Sequence, residues 1–138
     1  MTRVVLDTCA LLAFAEGEPM RPEAVRAIRA AQAGAMALVP STTATEIAQR
    51  VAAGKLRLSG GATPRAWFAR IMGEPGLREV VVSMDAALAA YELPEPFHRD
   101  PADRLIVAIA RLLHAPVVTV DRRILDYGRR GHVATLAY

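Results

Sequence analysis

The sequence predicts an α/β protein: one three-layer α/β/α domain over residues 1–138, with a mainly parallel sheet of four or five strands between its helices. Short β-branched runs, such as Val4-Val5-Leu6 and Val117-Val118-Thr119-Val120, alternate with stretches of helical periodicity. Gly and Pro punctuate the joins, and acidic residues recur where apolar runs end. Strand, crossover helix and next strand in alternation imply right-handed βα units.

In chain order, Arg3 to Leu6 reads as a buried strand, and Thr8 to Phe14 as a helix packed on it. Gly17-Glu18-Pro19 is a loop. Pro22 and Glu23 suit a first helical turn, Val25, Ile28 and Ala31 form an apolar stripe, and Gly34 ends the helix. Met36 to Val39 is the second strand, broken by Pro40. Any of Ser41, Thr42 and Thr43 can cap the helix carrying Ile47, Ala48 and Val51, which Gly54 stops. Ser59-Gly60-Gly61 reads as a flexible connection. Thr63-Pro64 opens a helix with Trp67, Phe68 and Ile71 on one face, suited to core or interface.

Val80 to Val82 predicts the third strand, Ser83 a cap, and Met84 to Tyr91 a short helix. Pro94 and Pro96 make Leu93 to Arg99 a loop. Asp100-Pro101-Ala102-Asp103 supplies a cap, a first-turn proline and an acid for a helix reaching about Leu113. Val117 to Val120 is the fourth strand, Asp121 to Tyr127 a helix, and Val133 to Leu136 a fifth strand.

Composition narrows the function classes. With 53% hydrophobic and 22% charged residues the chain has ample material for a core. One cysteine, Cys9, allows no internal disulfide, and no Cys/His spacing suits zinc, which favours a reducing compartment. The apolar stretch Val4 to Ala15 is interrupted by Asp7 and lacks a basic leader, and no run reaches the roughly 18 residues that span a bilayer. The expectation is a soluble cytoplasmic protein. Net charge is +3, and Lys55 is the only lysine among 17 basic residues. Arginine suits bidentate phosphate or carboxylate pairing.

Asp7, Glu46, Asp103 and Asp121 carry the chemistry. Each has a local explanation: Asp7 and Asp121 as helix caps, Glu46 in a capping box with Thr43, and Asp103 as a first-turn acid. Jointly they predict more, because open α/β sheets bring their strand ends to one crevice. Carboxylates gathered there repel one another unless a cation joins them, and hard oxygen donors without Cys or His suit Mg²⁺ or Mn²⁺.

Val5-Leu6-Asp7-Thr8, the run from Ser41 through Glu46-Ile47-Ala48 to Gly54-Lys55-Leu56, Arg99-Asp100-Pro101-Ala102-Asp103-Arg104-Leu105-Ile106 and Thr119-Val120-Asp121-Arg122-Arg123-Ile124 resemble the PIN domain, and within it the VapC-type toxins of toxin–antitoxin pairs. The resemblance covers nearly the whole chain, though no motif falls between Ser59 and Glu95. It implies a metal-dependent endoribonuclease, with Asp7, Glu46, Asp103 and Asp121 as catalytic and Mg²⁺- or Mn²⁺-binding residues. It further implies an RNA substrate, a cognate antitoxin and a homodimer.

Asp100, Thr8, Ser41 and Thr119 are expected to support these carboxylates, while Arg104 pairs with Asp100 or Asp103 or binds substrate. Arg122 and Arg123 read as a solvated face, and His98 as incidental. Leu11, Leu12, Phe14, Val25 and Ile28 suit either core or an apolar groove for the antitoxin. The alternative is a non-catalytic RNA- or protein-binding module that keeps its acids as caps. Haloacid-dehalogenase-like chemistry is disfavoured by Cys9, which stands two residues after Asp7 where a second acid is required. A receiver-type domain would need a later phosphoacceptor and a lysine after a late strand.

Overall fold

A computed structural model describes residues 2–138. The five strands are β1 (Val4–Leu6), β2 (Ala37–Pro40), β3 (Leu77–Val80), β4 (Val117–Val118) and β5 (Thr135–Leu136). They form one sheet in the order β3-β2-β1-β4-β5, and every pairing is parallel. The helices are α1 (Thr8–Ala15), α2 (Pro22–Ala33), α3 (Thr42–Ala52), α4 (Pro64–Ile71), α5 (Met84–Ala89), α6 (Pro101–Leu112) and α7 (Arg122–Arg129).

The period of two in each strand divides the core into two layers. Val5, Leu38 and Val117 face α5, α6 and α7, packing on Ala86, Ile106, Ile109, Ile124 and Tyr127. Val4, Leu6, Ala37, Val39 and Val118 face the other way, against Leu11 of α1, Ile28 of α2, Ile47 of α3, and Trp67 and Ile71 of α4. Trp67, Ile71, Leu11 and Ile28 are therefore core residues. This is the three-layer parallel arrangement that the sequence predicts.

Three local details differ from the sequence reading. The third strand is Leu77–Val80, three residues earlier than the Val80 to Val82 run suggests, and Val81 is 69% exposed. Its register pairs Leu77 with Ala37 and Val80 with Pro40, so the edge strand is fixed by β2 rather than by its most β-branched triplet. Pro40 also joins its strand rather than breaking it, as the last residue paired to this edge. The Ser59-Gly60-Gly61 connection is a 3-10 turn held to α1, with the Ser59 N–H donating to Glu16 Oε1 at 3.0 Å. No helix among the described residues is long and apolar enough to cross a membrane.

The chain leaves β1 to build β2 and β3 on one side, then returns to build β4 and β5 on the other. The reversal falls between β1 and β4, where the connections diverge and leave a crevice at the strands' carboxyl ends. At the opposite end Gly76 leads into β3 against α2. Its φ is +88°, and a Cβ there would lie 2.3 Å from the Gln32 carbonyl oxygen and 2.5 Å from Gln32 Cα. Gly76→Ala is expected to cost about 2–4 kcal/mol, from backbone strain plus the clash, in urea unfolding. An unchanged midpoint would show that the α2–β3 contact yields freely.

Candidate active site

The crevice between β1 and β4 collects acids because three helices begin at it. Asp7 follows β1 and caps α1, its Oδ1 accepting the Ala10 N–H at 2.7 Å. Asp121 follows β4 and caps α7, its Oδ1 accepting the Arg123 N–H at 2.8 Å and the Ile124 N–H at 3.3 Å. Asp100 caps α6 by accepting the Asp103 N–H at 3.1 Å, which places Asp103 in the first turn. Glu46 reaches in from α3, and its Oε1 accepts the Thr8 hydroxyl. The capping box open to Glu46 does not form; the Thr43 hydroxyl donates instead to the Pro40 carbonyl at 2.9 Å. Asp7, Glu46, Asp100, Asp103 and Asp121 thus line one cleft of about 260 Å³, with Thr8, Cys9, Val120, Arg50 and Arg123. A larger hollow of about 610 Å³, lined by Arg111, His114 and His132, contains no acid, so chemistry rather than size distinguishes the smaller cleft.

The supporting residues fall into two groups. Thr8 touches Glu46, and Thr119 accepts the Asp121 N–H at 3.0 Å and favours the ionised form of Asp7. Ser41 is turned elsewhere: its hydroxyl oxygen accepts the Val82 N–H at 3.1 Å. Arg104 also departs from expectation, its guanidinium pairing with neither the Asp100 nor the Asp103 carboxylate. It is buried beneath the 90–98 loop, donating from Nε to the Ala90 carbonyl at 2.8 Å and from Nη1 to the Phe97 and His98 carbonyls at 3.1 and 3.0 Å. Its Nη2 meets Glu95 Oε1 at 2.8 Å. A fixed guanidinium fork satisfies four acceptors at once, which explains why an arginine is tolerated in the core.

Three basic groups at the site escape the sequence reading. Arg123 is exposed, as a solvated face requires, yet its Nη2 lies 3.4 Å from Asp121 Oδ2 and 3.9 Å from Asp103 Oδ2. Arg50 lies 3.9 Å from Glu46 Oε2, a contact legible in their i,i+4 spacing. His98 Nε2 stands 3.1 Å from Asp103 Oδ2. No periodicity signals that contact, because a proline-rich loop delivers it.

Electrostatics record the cost of the gathering. Burial, then the charges of Asp100, Asp121 and Glu46, push Asp103 from an ordinary 3.8 up to about 7. Burial likewise raises Asp7, only partly offset by hydrogen bonds from Thr119 and the Ala10 N–H. Burial pushes Asp121 upward too, but its bonds from Arg123 and the α7 amides outweigh that and lower it. Burial, followed by the charge of Arg123, lowers His98. One ligand atom each from His98, Asp103 and Asp121 lie within 4.8 Å of one another. A set of oxygen donors, two of which, Asp7 and Asp103, are held at raised pKa, fits a divalent cation, whose charge would relieve the repulsion.

A family model described as PIN domain matches residues 4–130. Among solved structures, the crystal structure of VapBC2 from Rickettsia felis bound to a DNA fragment from their promoter is similar at a TM-score of 0.69. Identity is 13%, over 97% of this chain and 97% of that one. A toxin–antitoxin complex from Klebsiella pneumoniae is similar at a TM-score of 0.58 and 18% identity, over 88% of this chain and 89% of that one. No curated protein sequence matches.

The raised Asp103 fixes the sign of a pH effect. Between about pH 4 and 7 the folded protein keeps a proton that the unfolded chain has lost, so this group's contribution to stability falls as pH rises through that window. Asp7 acts in the same direction and Asp121 in the opposite one. Asp103→Asn is expected to remove up to about 4 kcal/mol of this penalty at pH 8. With EDTA present, the variant should melt above wild type at pH 8 and converge with it near pH 4. Parallel melting curves across that range would show that Asp103 ionises without strain.

Proposed function

This chain belongs to the PIN domain family, and from that premise we propose that it is a divalent-metal-dependent endoribonuclease, acting in the cytoplasm as the toxin of a toxin–antitoxin pair. The observation that carries the reading is the meeting of Asp7, Glu46, Asp103 and Asp121, drawn from distant parts of the chain, in one cleft where two of them are held at raised pKa. Caps alone require no such meeting.

Asp7, Asp103, Asp121 and Glu46 would hold Mg²⁺ or Mn²⁺. When bound, the ion supplies Lewis-acid stabilisation of the charge that builds on the phosphoryl oxygens during hydrolysis. The chain's own groups do the positioning. Asp7 is held by the Ala10 amide, and Asp121 by two amides of α7. Glu46, steadied by Thr8, orients the water that attacks phosphorus as the bond to the leaving ribose oxygen breaks. Arg50 and Arg123 stand at the rim beside the acids, where they offset the repulsion between carboxylates and RNA phosphates.

The partners follow the same reasoning. Of the two similar structures described above, one is a toxin–antitoxin complex and the other is of VapBC2. A hollow of about 500 Å³ beside the site, lined by Leu12, Leu56, Leu58 and Tyr138 with Glu16 and Glu18, suits an antitoxin segment of mixed apolar and basic character. Homodimerisation is better served by α5 than by the buried Trp67. Met84 and Leu88, 81% and 60% exposed, lie one turn apart on the same face of α5, and Tyr91, 65% exposed, follows just past the helix end.

Asp7→Asn and Asp103→Asn should each keep the helix cap or first-turn geometry, yet reduce Mg²⁺- or Mn²⁺-dependent RNA cleavage at least 100-fold. RNA binding without metal and without cleavage, unchanged in both variants, would favour the non-catalytic module, and full cleavage in both would end the assignment of these acids. Arg123→Gln should weaken single-stranded RNA binding several-fold and lower the slope of log affinity against log salt by roughly 0.7. An unchanged slope would place the phosphates away from this rim.

A further inference from the structure

We propose that His98 is a positioning residue for Asp103, its Nε2–H donating to Asp103 Oδ2 and so fixing which carboxylate oxygen faces the cation. The inference rests on the metal-dependent reading above. Nothing in that reading requires a histidine.

The ring's tautomer follows from its neighbours. The Asp100 backbone N–H points at Nδ1 from 3.4 Å, and an amide can only donate, so Nδ1 carries the lone pair and the proton belongs on Nε2. Nε2 is buried and has no aligned hydrogen-bond partner among the described residues, yet Asp103 Oδ2 is only 3.1 Å away. A carboxylate's terminal torsion is broad, so a modest turn of Asp103 aligns the pair.

The backbone of His98 is held as deliberately as its ring. Arg104 Nη1 binds the His98 and Phe97 carbonyls at 3.0 and 3.1 Å, and the imidazole packs on Phe97 with centroids 4.5 Å apart. Asp103 and Arg104 are neighbours on α6, so one helical turn presents the carboxylate and secures the loop that orients it. This gives the buried Arg104 a part in the site without touching it. Outer partners of this kind typically govern metal affinity by 10–100-fold.

His98→Gln keeps a donor near the Nε2 position, whereas His98→Phe keeps a ring on Phe97 and removes the donor. Mn²⁺ titration by calorimetry should show His98→Gln within about threefold of wild type and His98→Phe weaker by 10–100-fold. Melting in EDTA should remain near the wild-type value for both. Long-range ¹H–¹⁵N spectra of the metal-free protein should show the Nε2–H tautomer at the His98 signal, identified by its loss in His98→Gln. Wild-type affinity in His98→Phe, equal losses in both variants, or an Nδ1–H tautomer would overturn the proposal. Failure of wild type to bind Mn²⁺ would instead overturn the metal-dependent reading, and the tautomer would still test the His98–Asp103 contact.

Discussion

Mutual repulsion among carboxylates in a poorly hydrated crevice is the constraint around which this protein is arranged. Burial first, and the neighbouring carboxylate charges behind it, push Asp103 up to about 7 and raise Asp7, so lost hydration compounds the repulsion. The fold contains it with helix N-termini. α1, α6 and α7 each open at the crevice, and their first-turn amides bind Asp7, Asp100 and Asp121. The positive ends of the helix dipoles add to those bonds. Capping and the proposed catalysis therefore draw on the same side chains, Asp7 and Asp121, and neither explanation displaces the other.

The sheet makes this geometry possible. A single reversal of strand order beside β1 turns Asp7 and Asp121, more than a hundred residues apart, into neighbours across the β1–β4 pair. Thr119 steadies the β4 side of the join, its hydroxyl accepting the Asp121 amide. The second layer of control is the 90–98 loop, which Arg104 draws onto α6 through three carbonyls and Glu95. The acids on rigid helix starts and the imidazole on a tethered loop thus meet at Asp103.

Much of this was legible in the sequence because it rests on local chemistry. Asp-Pro at 100–101, Thr-Pro at 63–64 and Ser83 mark helix starts that the structure places within a residue. Hydrophobic periodicity found the strands β1 and β2, whose faces are both buried. It misplaced β3, an edge strand with exposed Arg78 and Glu79, where pairing to β2 sets the register and the apolar Val81 is left outside. The roles of Arg104, Arg123 and His98 were illegible for a related reason. Each depends on a contact between segments whose relative placement only the fold supplies, and no spacing rule encodes it. Ser41 shows the converse, since a hydroxyl near an expected acid in sequence is spent on the Val82 amide in space.

The central claim is that Asp7, Asp103 and Asp121 share a divalent ion. Its most direct test is an anomalous difference map from crystals grown with Mn²⁺. The account predicts a peak in the cleft within coordination distance of carboxylate oxygens from at least two of those residues, together with or bridged by water to Glu46. Diffraction at full Mn²⁺ saturation with no peak there, or with the ion held at another surface, would contradict it.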